Sequence, residues 1–216
     1  MSSTKLIRWG GLALMLAGVF LALFFLLHPG GGDPPTVAAA LNSLYGAEHT
    51  LGVAAMVLML FGVVGLYAHW IANWGRLGLI GFLLSFIGTA LLLGVIFFDA
   101  YFVPIIAADA PKLLDTKGPL NTLPGVLALA LPGVIWGVGF ILLGIAIMRT
   151  SVLPRWGGLL LIIGAIVLNL PPQPIGPVPL FVLTIGAIVF CVGLALLGYA
   201  LWSEKGEMAA QPKPAM

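Results

Sequence analysis

The chain has 216 residues, of which 61% are hydrophobic and only 7% charged, with a net charge of +2. A water-soluble domain needs about 25% charged residues, so this composition excludes an ordinary soluble fold and points to lipid as the solvent. The small, evenly divided charge also excludes a nucleic-acid partner, which would call for a basic patch.

A helical span needs about 20 mostly apolar residues to cross roughly 30 Å of hydrocarbon. Six runs approach this, at about 6–27, 50–70, 77–98, 122–148, 157–171 and 178–202. The expected fold class is therefore all-α: a polytopic membrane bundle with residues 1–203 as one transmembrane domain and 204–216 as a disordered cytoplasmic tail. The first run follows Lys5 and Arg8, as a signal peptide would. It is longer than a signal core, lacks a small-x-small cleavage site and runs into His28-Pro29-Gly30, so it reads as a retained helix. Residues 28–49 follow, with Asp33 as the expected cap of a short surface helix from Ala38 to Tyr45.

The second and third runs carry small faces at Gly62, Gly65, Gly75, Gly78 and Gly81, and the fourth at Gly133, Gly137 and Gly139. Small residues let membrane helices approach closely. Pro132 inside the fourth run should kink it, because proline removes a backbone hydrogen bond. The fifth run is the weakest, being short, holding Asn169 and ending in Pro171-Pro172. The sixth contains Cys191, the single cysteine, so no intramolecular disulfide can form.

Lys and Arg set the expected sidedness, since inner loops are enriched in them. With the N-terminus inside, Lys5, Arg8, Arg76, Arg149, Arg155, Lys205 and Lys213 are cytoplasmic and only Lys112 and Lys117 are outside. Asp33, Glu48, Asp99, Asp109 and Asp115 all fall outside. The expectation is a multi-pass protein of the inner (plasma) membrane with both termini cytoplasmic.

An internal echo links Arg8-Trp9-Gly10-Gly11-Leu12, Asn73-Trp74-Gly75-Arg76-Leu77 and Arg155-Trp156-Gly157-Gly158-Leu159. Gly139-x4-Gly144-x-Ala146 similarly matches Gly193-x4-Gly198-x-Ala200. Three tandem hairpins about an axis along the membrane normal would produce this pattern. An aromatic belt at the inner interface combined with small-residue packing would mimic it.

No phosphate-binding glycine loop, H-E-x-x-H, C-x-x-C or G-x-S-x-G occurs. One constellation stands out. His28 ends the first helix, Glu48 and His49 begin the second, and Asp99 ends the third, all at one depth. Imidazole with carboxylate suits zinc or a similar divalent metal, and two facing histidines could instead ligate haem iron. Polar groups at an interface also serve simply to meet water and headgroups. His69 lies at the opposite side. A second candidate region, for an apolar ligand such as a lipid tail or quinone, is Pro132, Trp136, Phe140 and Asn169. Ionisable groups are absent from mid-membrane, which argues against ion-driven transport.

The segments His28-Pro29, Glu48-His49-x-Leu51-Gly52, Gly65-Leu66-Tyr67, Phe98-Asp99 with Pro104, and Leu153-Pro154-Arg155-Trp156-Gly157-Gly158-Leu159-Leu160 resemble a loose group of uncharacterised bacterial integral membrane proteins. The resemblance implies a six-helix membrane fold and no particular activity. The expected roles are an accessory subunit or apolar-ligand binder, a metal or haem protein at the outer face, or a facilitator for a neutral or lipid-like molecule. The bilayer is the expected partner, together with a membrane-protein partner or a second copy of the chain.

Overall fold

The computed structural model describes residues 3–29, 36–70, 75–115, 117–118, 122–149, 153–170 and 179–203. The described residues form helices and turns, with no strand. Helix α1 spans Ser3–Leu27, α2 Val37–Ala40, α3 Tyr45–Trp70, α4 Gly75–Tyr101, α5 Val103–Asp109, α6 Leu123–Arg149, α7 Arg155–Leu168 and α8 Leu180–Ser203, with a short 3-10 turn at Pro111–Leu114.

Among the described residues, five helices are long and apolar enough to cross a membrane, namely α1, α3, α4 (which runs nearly on into α5), α6 and α8. Helix α7 has 14 residues, about 21 Å at 1.5 Å per residue, which is shorter than the hydrocarbon. The expected run to residue 171 stops early because Asn169 interrupts it. Its side-chain amide donates to the Ala165 carbonyl at 2.9 Å, and its backbone N–H is shared among several carbonyls of the last turn. Helix α6 continues through Pro132 from end to end.

The six longer helices close into a ring in the order α1, α3, α4, α6, α7, α8 and back to α1. Neighbours run antiparallel. Gly10 near the start of α1 meets Gly65 near the end of α3, and Gly11 meets Gly198 near the end of α8. The starts of α1, α4 and α7 therefore share one end of the ring with the ends of α3, α6 and α8. His28, Glu48, His49 and Asp99 all lie towards the other end.

Close backbone approach builds the seams. A Cβ added at Gly10 would lie 2.7 Å from Gly65 Cα, one at Gly11 2.5 Å from the Gly198 carbonyl oxygen, and one at Gly81 2.6 Å from Leu143 N. Without a hydrophobic force between helices in lipid, dispersion at such contacts holds the ring together. Two glycines expected in seams are elsewhere. Gly133 meets nothing within 4 Å, and Gly75 opens α4 at φ +55°, also clear of neighbours.

The repeat holds geometrically in two of the three hairpins. Gly10 and Gly157 each face their own hairpin partner, while Gly11 and Gly158 each face a glycine of the preceding helix in the ring, Gly198 and Gly144. The middle hairpin departs from this: Arg76 replaces the second glycine, and Gly139 packs on Ser85 deeper along α4.

Inside the ring, Leu14, Met59, Phe140, Leu143, Phe190, Leu194 and Leu197 are fully buried. The outer surface is equally apolar, with Phe61, Leu123, Phe181 and Tyr199 all exposed. A surface of that kind suits lipid. A second, smaller core caps one end, where Ala40, Tyr45, Val103, Ala107 and Leu114 pack together. It brings α2, α5 and the 3-10 turn onto the start of α3. The cap of α2 is Thr36, whose Oγ1 accepts from Ala39 N at 3.2 Å. Asp33, the expected cap, lies outside the described residues, as do the 171–178 link and the 204–216 tail.

Candidate metal centre

The site depends on where α3 begins. The sequence pattern puts that start near residue 50, but the helix begins at Tyr45. Asn42 sets the entry: its Oδ1 accepts from Leu44 N at 2.9 Å and its carbonyl from Tyr45 N at 3.0 Å, an Asx-type turn. Glu48 thereby falls in the first helical turn, where the unpaired N–H groups favour a carboxylate. His49 follows one residue later. His28 lies just past the last turn of α1.

Three of the four expected residues converge. Glu48 Oε1 lies 3.0 Å from His28 Nδ1 and also against His49 Nδ1. One potential ligand atom from each of His28, Glu48 and His49 falls within 4.8 Å of the others. Glu48 is 1% exposed and His49 4%, whereas the His28 side chain reaches the surface at 17%. His49 Nδ1 also lies 2.9 Å from the Tyr45 carbonyl. A carbonyl only accepts, so Nδ1 donates and the Nε2 lone pair is left available.

The other carboxylate oxygen is the most telling atom. Glu48 Oε2 is buried and has no hydrogen-bond partner among the described residues. A buried acceptor left unmade costs about 1–3 kcal/mol, and more when charged. A cation would supply the missing partner.

Asp99, the fourth expected residue, is not among the ligand atoms that fall within 4.8 Å of one another. It sits nearby on α4. The turns around it pack on α3: a Cβ at Gly46 would lie 3.3 Å from the Ala100 carbonyl oxygen, and one at Gly52 3.0 Å from Ile96 Cγ2.

Aromatic rings wall the site. The Tyr45 ring lies tilted by 35° against His49 at 4.1 Å between centroids, and Phe24 meets His49 edge-on at 5.2 Å. Neither was singled out from the sequence, though both follow from helix spacing. Tyr45 is one turn before His49, and Phe24 one turn before His28.

These residues fit a small ion better than haem. An axial pair needs iron and a porphyrin plane between two imidazoles, and the carboxylate of Glu48 stands between these two. Tetrahedral zinc with bonds of about 2.0–2.1 Å separates its ligand atoms by roughly 3.3 Å. The His28–Glu48 spacing of 3.0 Å is close to that.

The second expected region is partly assembled. Pro132, Trp136 and Phe140 are buried on α6. Asn169 is exposed at the end of α7 but lies against Gly137. Trp136 and Phe140 pack with Phe190 of α8 at 4.7 and 5.0 Å, so a ring from another helix occupies much of this region. Trp136 Nε1 is buried without an acceptor. The interior hydroxyls, by contrast, are satisfied within their own helix: Ser85 Oγ donates to Phe82 O at 3.0 Å, and Thr89 Oγ1 to Ser85 O at 2.6 Å.

No protein-family model, curated protein or solved structure matches this chain.

Proposed function

We propose that this is a multi-pass membrane protein that holds a divalent metal ion of the zinc type through His28, Glu48 and His49. One observation carries the reading. Three side chains of metal-ligand chemistry converge, and the carboxylate has a buried oxygen with no hydrogen-bond partner among the described residues. Two imidazoles and one carboxylate form a donor set that zinc accepts. On the charge distribution, the site faces the outside of the inner membrane, opposite the cytoplasmic termini.

Elemental analysis of detergent-purified protein tests it. About one zinc or other divalent metal per chain is expected, as one such donor set holds one ion. His49→Ala and Glu48→Gln should lose it. Metal-free wild-type protein that stays metal-free after dialysis against micromolar zinc refutes the proposal.

A second reading rests on Trp136. Its buried N–H suits an apolar ligand with a carbonyl oxygen, such as a quinone or a lipid ester. Titration with a short-chain benzoquinone should quench tryptophan fluorescence, and Trp136→Phe should remove most of that quenching. Equal quenching in the variant would eliminate this reading. Ion-driven transport has the least support, because Ser85 and Thr89 turn their hydroxyls to their own helix.

A further inference from the structure

We infer that the metal ion held by His28, Glu48 and His49 keeps one coordination position open for water or a small anion, with Asp99 beside it to accept the water's hydrogen bond. This rests on the metal reading above and extends it from holding an ion to activating a ligand.

The count of ligands comes first. Structural zinc sites are closed by four protein ligands, whereas sites that act on a ligand have three and leave the fourth position to water. Among the described residues, three side chains converge here. Their identity matters as well. Two histidines and a glutamate leave a divalent ion with a net charge of +1, in a place where Glu48 and His49 are almost wholly buried. An uncompensated charge is costly there.

Asp99 supplies the compensation without being a ligand. It stands on α4 between Ile96 and Ala100, the turns that press on the first two turns of α3, where Glu48 and His49 lie. With Asp99 counted, the ion and its surroundings are neutral. A carboxylate near, but not on, a metal is placed to take a hydrogen bond from metal-bound water, and later its proton. Metal binding lowers the pKa of water to about 7, so such a water is a source of hydroxide at neutral pH.

Access is consistent with this. His28 is the partly exposed member of the set. The cap beside the site presents Leu41, Leu44, Phe102 and Ile105 outwards, as a surface at the boundary between lipid and water would. The ligand class is water and small monoanions reaching the ion from that boundary.

Cobalt substitution provides the test. Co(II) takes the place of zinc and gives a visible spectrum sensitive to its ligands. The full chain in mild detergent is loaded with Co(II) and titrated with azide. An open position predicts a saturable spectral change. Asp99→Asn should keep its cobalt and bind azide more tightly, by several-fold or more, because a repelling charge has gone. Cobalt bound at one per chain with a spectrum that azide leaves unchanged would overturn this inference and leave the metal reading standing. Loss of cobalt in Asp99→Asn or in Asp33→Asn would identify a fourth protein ligand and overturn it equally. Failure of the wild type to take up cobalt or zinc would overturn the metal reading, and this inference with it.

Discussion

Glu48 is the residue on which the site turns, because it touches both histidines and has an oxygen to spare. Its replacement by glutamine keeps the shape and removes the charge. Glu48→Gln should weaken zinc binding by more than about 100-fold, beyond the 10–100-fold typical of groups that only support a ligand. Linkage gives an independent readout. Zinc at 100 times its Kd should stabilise the wild type by about 2.7 kcal/mol and raise its Tm in detergent. In Glu48→Gln the same zinc should leave Tm unchanged. Tyr45 acts through His49, whose Nδ1 is bonded to the Tyr45 carbonyl. That bond belongs to the backbone, so Tyr45→Phe should retain metal, whereas Tyr45→Ala removes the ring packed against His49 at 4.1 Å and should lower affinity about tenfold, the smaller end of the supporting range. Competition with a chromophoric chelator measures both. The depth of these residues was legible in the sequence, since helix ends fix it. Which of the four would meet was not. That depends on how the α1–α3 seam rotates each helix, and glycine contacts such as Gly10 on Gly65 decide it.

At the scale of the helix, the seams make opposite predictions for the same substitution. Gly81→Ala would place a methyl group 2.6 Å from Leu143 N and 3.0 Å from Leu143 Cα, both backbone atoms that cannot swing away. Overpacking of this kind costs about 1–3 kcal/mol. Gly133→Ala meets nothing within 4 Å and gains up to about 1 kcal/mol of helix propensity. Thermal unfolding in one detergent should therefore separate the two variants, with Gly81→Ala below the wild type and Gly133→Ala at or above it. Composition alone groups these glycines together, because the sequence shows how many small residues a helix has but not which face meets a neighbour. Helix boundaries were misplaced for a similar reason. Hydropathy starts the second span near residue 50, yet Tyr45-Gly46-Ala47-Glu48-His49 is helical because Asn42 nucleates the turn and the cap core buries Tyr45. A polar, capped first turn is invisible to a criterion that counts apolar residues.

The whole molecule poses a question of parity. Five helices have the length to cross, and α7, at 14 residues, does not on its own. Five crossings would leave the termini on opposite sides of the membrane, and six would leave them on the same side. The ring geometry supports six, because α7 lies between α6 and α8 with antiparallel neighbours on both flanks, and Gly158 and Gly157 seat it against Gly144 and Gly193. A helix displaced from the membrane would forfeit both seams. A sixth crossing by so short a helix would require local thinning of the bilayer, at a fraction of a kcal/mol per Å. The charges agree: Arg149 and Arg155 flank the link before α7 on the side where Lys5 and Arg8 precede α1. Single cysteines at Lys5, Lys117, Arg155 and Ser203, in a Cys191→Ala background, decide it in intact cells with a membrane-impermeant maleimide. Lys117→Cys should label without lysis. Lys5→Cys, Arg155→Cys and Ser203→Cys should label only after it. If Ser203→Cys and Lys5→Cys label on opposite sides, α7 does not cross, and the ring must be opened at that helix.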